Sequence, residues 1–265
     1  MPDLLLVNVR TLLRFYARNR LLLAVALLML VMLGISFVPT LLFETATRFE
    51  TLRSLSAATT TFAFVFTPIL GLLAIATHLR HRNVKMVVTK PCPPEAWLGA
   101  VFVSASIVAL VLHGLVAAAS ATLSLAWGVP YQWGFLLLAI AGFLESLVAL
   151  SFVIALTLVL HPAIAVLVAL FFNESLLYDI KFFLAGAQAG TWRNALLPAQ
   201  GLLDLVYTVL PMYDPLGEKG ATLRQSMRPE SGDWVLLAVS AAYTLAAMAF
   251  SFALSSVALR RRTLS

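Results

Sequence analysis

Residues 133–160 read WGFLLLAIAGFLESLVALSFVIALTLVL, with Glu145 as the single charge. A helix that crosses the hydrocarbon of a bilayer needs about 20 mostly apolar residues. This stretch exceeds that, and it is apolar on every side rather than along one stripe. A transmembrane β-strand would instead show about ten residues alternating apolar and polar. The composition, rich in Leu and Ala, therefore reads as a spanning helix.

Working outward, the same pattern recurs. Upstream, 98–127 carries only His113, while 54–77 and 21–43 carry no charge. Downstream, 162–184 carries Glu174, Asp179 and Lys181, and 234–259 carries none. The reading is an all-α polytopic membrane protein. It has one domain over 1–265 and six transmembrane helices, at 21–43, 54–77, 98–127, 133–160, 162–184 and 234–259. The first of these is longer than the 7–15 apolar residues of a signal-peptide core, so it is read as a retained helix.

The composition agrees. Charged residues are 11% of the 265, against roughly 25% in an average soluble protein. Hydrophobic residues are 61%, and the mean hydropathy is +0.95. That is too little charge to cover a soluble exterior and too little polarity for a disordered chain. The single cysteine, Cys92, allows neither an intrachain disulfide nor a cysteine metal cage.

Basic residues set the orientation. Arg10, Arg14, Arg18 and Arg20 precede the first span. Arg80, Arg82, Lys85 and Lys90 lie between the second and third, and Arg260, Arg261 and Arg262 follow the last. The other Lys and Arg residues fall in the alternate segments, where most of the acids also lie. Cytoplasmic segments are enriched in Lys and Arg. Both termini and the 78–96 loop are therefore expected in the cytoplasm, and the 185–233 loop outside. The net charge of +6 reads as this bias, so no nucleic-acid partner is expected.

The pieces outside the spans have character of their own. In 1–20, Arg10, Arg14 and Arg18 recur every four residues and share one helix face, while Leu5, Leu6, Val9, Leu12, Leu13 and Phe15 fill most of the rest. This predicts an amphipathic elbow helix lying in the inner interface; the plainer alternative is a basic helix flank. In 78–96, Val84, Val87 and Val88 fall at i, i+3 and i+4, which suits a short cytoplasmic helix that docks on a partner or, alternatively, a basic linker. Pro91 would end that helix, and Pro93 and Pro94 would stiffen the return. In 185–233, the apolar run 195–210 is too short to span, and 217–233 is polar enough to face solvent.

The sequence lacks the signatures of membrane enzymes. It has no GxxxxGK[ST] phosphate loop, no HExxH, no GxSxG and no aspartate-rich cluster. No catalytic residue, resident cofactor or metal site is expected. His78 and His81 are spaced like ligands but have no third residue beside them. What remains is Glu145 and Glu174, each about 18 Å along its span by helical rise. A charge at that depth costs at least about 2.5–3.5 kcal/mol and must face the bundle or water. Each is either a proton site or a carboxyl hydrogen-bonded to a neighbouring helix. His113, alone on an apolar helix, reads as a core histidine.

The layout resembles that of ABC-2 type permeases, the six-span membrane subunits of ATP-binding cassette exporters, over nearly the whole chain. The basic N-terminal stretch is similar to the family's connecting helix. Arg82-Asn83-Val84-Lys85-Met86-Val87-Val88-Thr89-Lys90-Pro91 resembles its coupling helix, which closes on Ser/Thr-x-Pro. Tyr207, Leu210, Pro211 and Asp214 fit its outer Tyr-x-x-Leu-Pro stretch. Span six ends in a basic cluster, as is common there. The coupling run departs from the family pattern at 82–84, where an acidic residue and Gly-Thr are usual, and at Pro93-Pro94-Glu95, where a basic residue is usual. The resemblance implies a multi-pass inner-membrane permease, itself not an enzyme. It would pair with a second permease copy, identical or different, and with an ATPase subunit that holds ATP and Mg. Two other readings stand beside it: a stand-alone secondary transporter using Glu145 or Glu174, and a non-transporting membrane anchor.

Orientation is testable with thiol reagents in intact cells. A cysteine introduced by Ser226→Cys should react with an impermeant maleimide from outside while Cys92 stays shielded. The opposite result would invert the topology.

Overall fold

A computed structural model describes residues 2–18, 45–80, 93–161 and 226–264, with a few single positions between them. The first span (21–43), nearly all of the fifth (162–184), the coupling run and residues 207–214 lie outside this set. The described elements are five helices: α1 (Pro2–Arg18), α2 (Thr45–Arg80), α3 (Pro94–Ala126), α4 (Trp133–Thr157) and α5 (Ser231–Leu264). Four of them contain stretches long and apolar enough to cross a membrane: Arg48–Leu73, Glu95–Ala126, Trp133–Thr157 and Ser231–Arg260. The chain is a multi-pass membrane protein.

α4 sits at the centre, packed against α2, α3 and α5. Its buried residues lie on all sides, from Gly134 and Phe135 to Ala155 and Thr157, as expected of a helix with no polar face. α3 touches α1, α2, α4 and α5, but one side of it is open. Val103, Ile107, Leu110, Val111 and Leu115 line that side, and Val235, Val239, Leu245, Phe250 and Leu254 line the open side of α5. So large an apolar surface would drive aggregation in water, whereas lipid tails match it.

α1 is amphipathic. Val9, Leu12 and Tyr16 are buried, whereas Arg10, Arg14 and Arg18 are exposed. Its buried side packs on the first turns of α3, where Leu5 reaches Gly99. Tyr16 is almost wholly buried, and its hydroxyl faces Ser104 without a hydrogen bond to it. Burial pushes that phenol well above its ordinary pKa, so the hydroxyl stays neutral.

Apart from Glu145 at the middle of α4, the charges of the described spans sort to the two ends of the bundle. At one end Arg260 Nε lies 2.6 Å from Glu95 Oε1, joining the last turns of α5 to the first turn of α3, close to where α1 docks. At the other, Arg48 Nη1 donates to the Trp127 carbonyl at 3.3 Å, placing a cation at the C-terminus of α3. There α3 closes on Gly128 at φ +66°, with the Val129 and Gly128 amides bonded back to the Ser124 and Leu125 carbonyls. A left-handed residue is what this helix ending requires.

Two expected boundaries move. The 78–96 loop is shorter, because α2 continues to Arg80 and α3 starts at Pro94 with Pro93 as its cap. Proline suits the first helical position, where its missing N–H costs nothing. The segment 217–233 is not uniformly solvent-facing. Leu223 and Met227 are buried, Met227 among Leu52, Trp127 and Phe135, and Ser231–Asp233 already belongs to α5.

The Met227 carbonyl accepts the Gly134 amide at 3.0 Å, and a β-carbon at Gly134 would overlap the Met227 backbone. Backbone cannot swing aside as a side chain can. Gly134→Ala should therefore cost about 1–3 kcal/mol and lower the melting temperature in detergent. Gly232→Ala, which meets open space, should leave it unchanged. Equal melting of the two variants would mean that the contact is slack.

Candidate functional site

Hydroxyl residues thread the interior of the bundle: Ser56, Thr59 and Thr67 on α2, Ser104, Ser120 and Ser124 on α3, Ser146, Ser151 and Thr157 on α4, and Ser240, Thr244, Ser251 and Ser255 on α5. Most of these turn back on their own helix. Thr59, Thr67, Ser120, Thr244 and Ser255 each donate to the carbonyl four residues earlier, at 2.6–2.9 Å. Such bonds hide the hydroxyl from lipid without a partner helix. Among the described residues, several of these hydroxyls also meet a neighbouring helix. Ser120 and Ser56 oxygens are 3.4 Å apart, as are Ser151 and Ser251, and His113 Nε2 lies 2.8 Å from Ser146 Oγ.

The histidine contact is the centre of the site. His113 is buried about 13 residues, or roughly 20 Å, from the Ala126 end of α3. Its ring fits there because Gly142 on α4 has no side chain. A β-carbon at that glycine would overlap Thr60 on α2 and press on the imidazole. Phe143 meets the ring edge-on, with centroids 6.2 Å apart. Three helices thus close around one imidazole. Nδ1 has no partner among the described residues. The tautomer that protonates Nε2 leaves a bare lone pair there, and the other leaves an N–H; orphaned N–H groups are the rarer of the two in proteins. Nε2–H donating to Ser146 is the arrangement consistent with this.

Of the residues that the sequence singles out, His113 is buried on α3. Glu145 is half-buried on α4, next to Ser146 in sequence, but neither nitrogen of His113 bonds it. Arg10, Arg14 and Arg18 lie together on the exposed side of α1. Glu174, the coupling run 82–91, and Tyr207, Leu210, Pro211 and Asp214 lie outside the described residues. The sequence reading missed Ser146, Gly142 and Thr60. The signal was present in part, since Gly142 and Ser146 are four apart and so share a face of α4. Among the described residues no three His, Cys, Asp or Glu side chains converge as a metal ion would need. The interior around His113 offers neutral donors and acceptors.

No protein-family model matches the chain, and no curated protein matches it closely enough to count as a relative.

The His113–Ser146 bond invites a double-mutant cycle. Ser146→Ala alone should cost about 1–3 kcal/mol, because it strands a buried ring nitrogen. Combined with His113→Ala, the losses should fall short of their sum by about 0.5–1.5 kcal/mol, read from unfolding in detergent. Strict additivity would show that the two groups do not interact.

Proposed function

We propose that this chain is the membrane-spanning permease subunit of an ABC-2 type transporter, moving its substrate outward across the cytoplasmic membrane. The observation that carries the reading is the seat of α1. An amphipathic helix is held by its apolar side against the first turns of α3, with its arginines turned away, at the end where Glu95 pairs with Arg260. This supports a connecting helix lying in the cytoplasmic interface, where exposed arginines reach anionic headgroups. It also supports the grouping of the basic segments on one side, on which the proposed orientation rests.

In this reading two permease copies assemble with two ATP-binding subunits, which hold ATP and Mg. Closure of the ATPase pair pushes on the 82–91 run. Val84, Val87 and Val88 fill a groove on the ATPase, and Arg82, Lys85 and Lys90 meet acids at its rim. Burying each valine contributes roughly 1.5–3 kcal/mol, whereas exposed rim pairs contribute about 0–1 and weaken with salt. The force reaches the bundle through α2 and α3, which flank the run and both pack on α4.

The test is retention of an ATPase subunit on the tagged, detergent-purified chain, together with substrate-stimulated hydrolysis. Val87→Asp combined with Val88→Asp should abolish both, with membrane insertion unchanged, because the run lies outside the spans. Wild-type retention and coupling in that variant would remove the mechanism. Transport without any ATPase, lost on Glu145→Gln, would instead favour a proton-driven carrier.

A further inference from the structure

At the end of the bundle opposite Glu95 and Arg260, a groove of about 470 Å³ is lined by Gln132, Trp133, Arg228, Pro229 and Trp234. We propose that it binds the phosphate of a membrane-lipid headgroup.

Arg228 stands on a fixed backbone. Met227 before it is buried at 1% exposure, donates its amide to the Leu223 carbonyl, accepts from Gly134, and holds a φ of 51° that non-glycine residues seldom adopt. Pro229 after it has its φ locked by the ring. The arginine is thus presented over the groove from two rigid neighbours. No carboxylate pairs with it among the described residues. The nearby acid Asp233 is occupied, since its Oδ2 accepts the Glu230 amide at 2.8 Å and caps the start of α5. Glu230 itself is exposed. An unpaired guanidinium matches a phosphate with two parallel hydrogen bonds.

The walls identify a lipid rather than a soluble anion. Trp133 opens α4 and Trp234 lies in the first turn of α5, so both sit at the end of a span, where tryptophan prefers the headgroup level. Both indoles are exposed, at 61% and 39%, and Tyr131 packs edge-on against Trp133 at 6.0 Å. Below the groove Val235 and Val239 continue as an exposed apolar track on α5, one helical turn apart. A headgroup in the groove would lay its acyl chains along that track. A free anion has no use for it.

The full-length chain, delipidated in detergent, is titrated with phosphatidylglycerol and followed by native mass spectrometry. The wild type should retain one phospholipid, and Arg228→Gln should weaken that binding about tenfold or more, with Arg228→Lys between them. Arg260→Gln, at the far end where the guanidinium pairs with Glu95, should bind as wild type. Because the Arg228 guanidinium makes no ion pair among the described residues, its variants should melt as wild type does. Two further measurements use the wild type alone. Neutral glucosyl diacylglycerol should bind at least tenfold more weakly, and inorganic phosphate at millimolar concentration should not displace the lipid. Undiminished binding by Arg228→Gln, or equal affinity for the glycolipid, would overturn the proposal. Displacement by inorganic phosphate would reassign the groove to a soluble anion.

Discussion

Lipid tails are as apolar as leucine, so a helix in a bilayer gains little by hiding its hydrophobic surface against another helix. What remains to hold a bundle is close contact and the hydrogen bonds that contact permits. Here both are concentrated on α4. Gly142 lets Thr60 and His113 approach, and Gly134 lets the Met227 backbone approach, from different neighbours and at different depths. Two side-chain-free points along one helix fix how α2, α3 and the chain leading into α5 lie around it. The apolar bulk of α4, from Leu137 to Ile154, fills the space between those points.

The hydroxyls follow from the same solvent. Backbone polar groups in hydrocarbon must be satisfied within the protein, and a long helix does this by itself. Serine and threonine join at little cost by donating to the preceding turn, as Thr59, Ser120 and Thr244 do. Histidine cannot, because its ring is too long and too rigid to fold back. His113 therefore needs a partner on another helix, and it has one for a single nitrogen. The half-satisfied imidazole is therefore sensitive to any shift between α3 and α4.

Four of the six expected spans were legible in the described residues, because hydropathy reports directly on the hydrocarbon crossing. Their ends were less so. α2 starts at Thr45 rather than 54 and carries Arg48, Glu50 and Arg53 in its first turns; α5 runs through Arg260 to Leu264. Helical hydrogen bonding does not stop where the lipid does, so a charge count ends the span before the helix ends. The partners of His113 were hidden for a different reason. Ser146 is 33 residues away, and no local periodicity encodes a contact between two helices. Met227 was hidden because its left-handed turn is imposed by burial among Leu52, Trp127 and Phe135 and not by a glycine that could be read in advance.

The two ends of the bundle are built differently, and the difference bears on what each can do. Around Glu95 and Arg260 the arginines of α1 sit on an exposed face, on long flexible side chains free to follow headgroups or a partner subunit. Around Trp127 and Met227 the cations are held by partners or by their backbone: Arg48 is bonded to a helix-end carbonyl, Arg53 pairs with Glu50, and the Arg228 backbone stands between a buried methionine and a proline. A mobile cationic face gives attraction without selectivity, because no geometry is imposed on the anion. A cation on a constrained backbone, in a groove walled by two indoles, does impose one. Any discrimination among headgroups by the described part of this protein therefore belongs to the tryptophan end, and the arginine end contributes orientation in the bilayer.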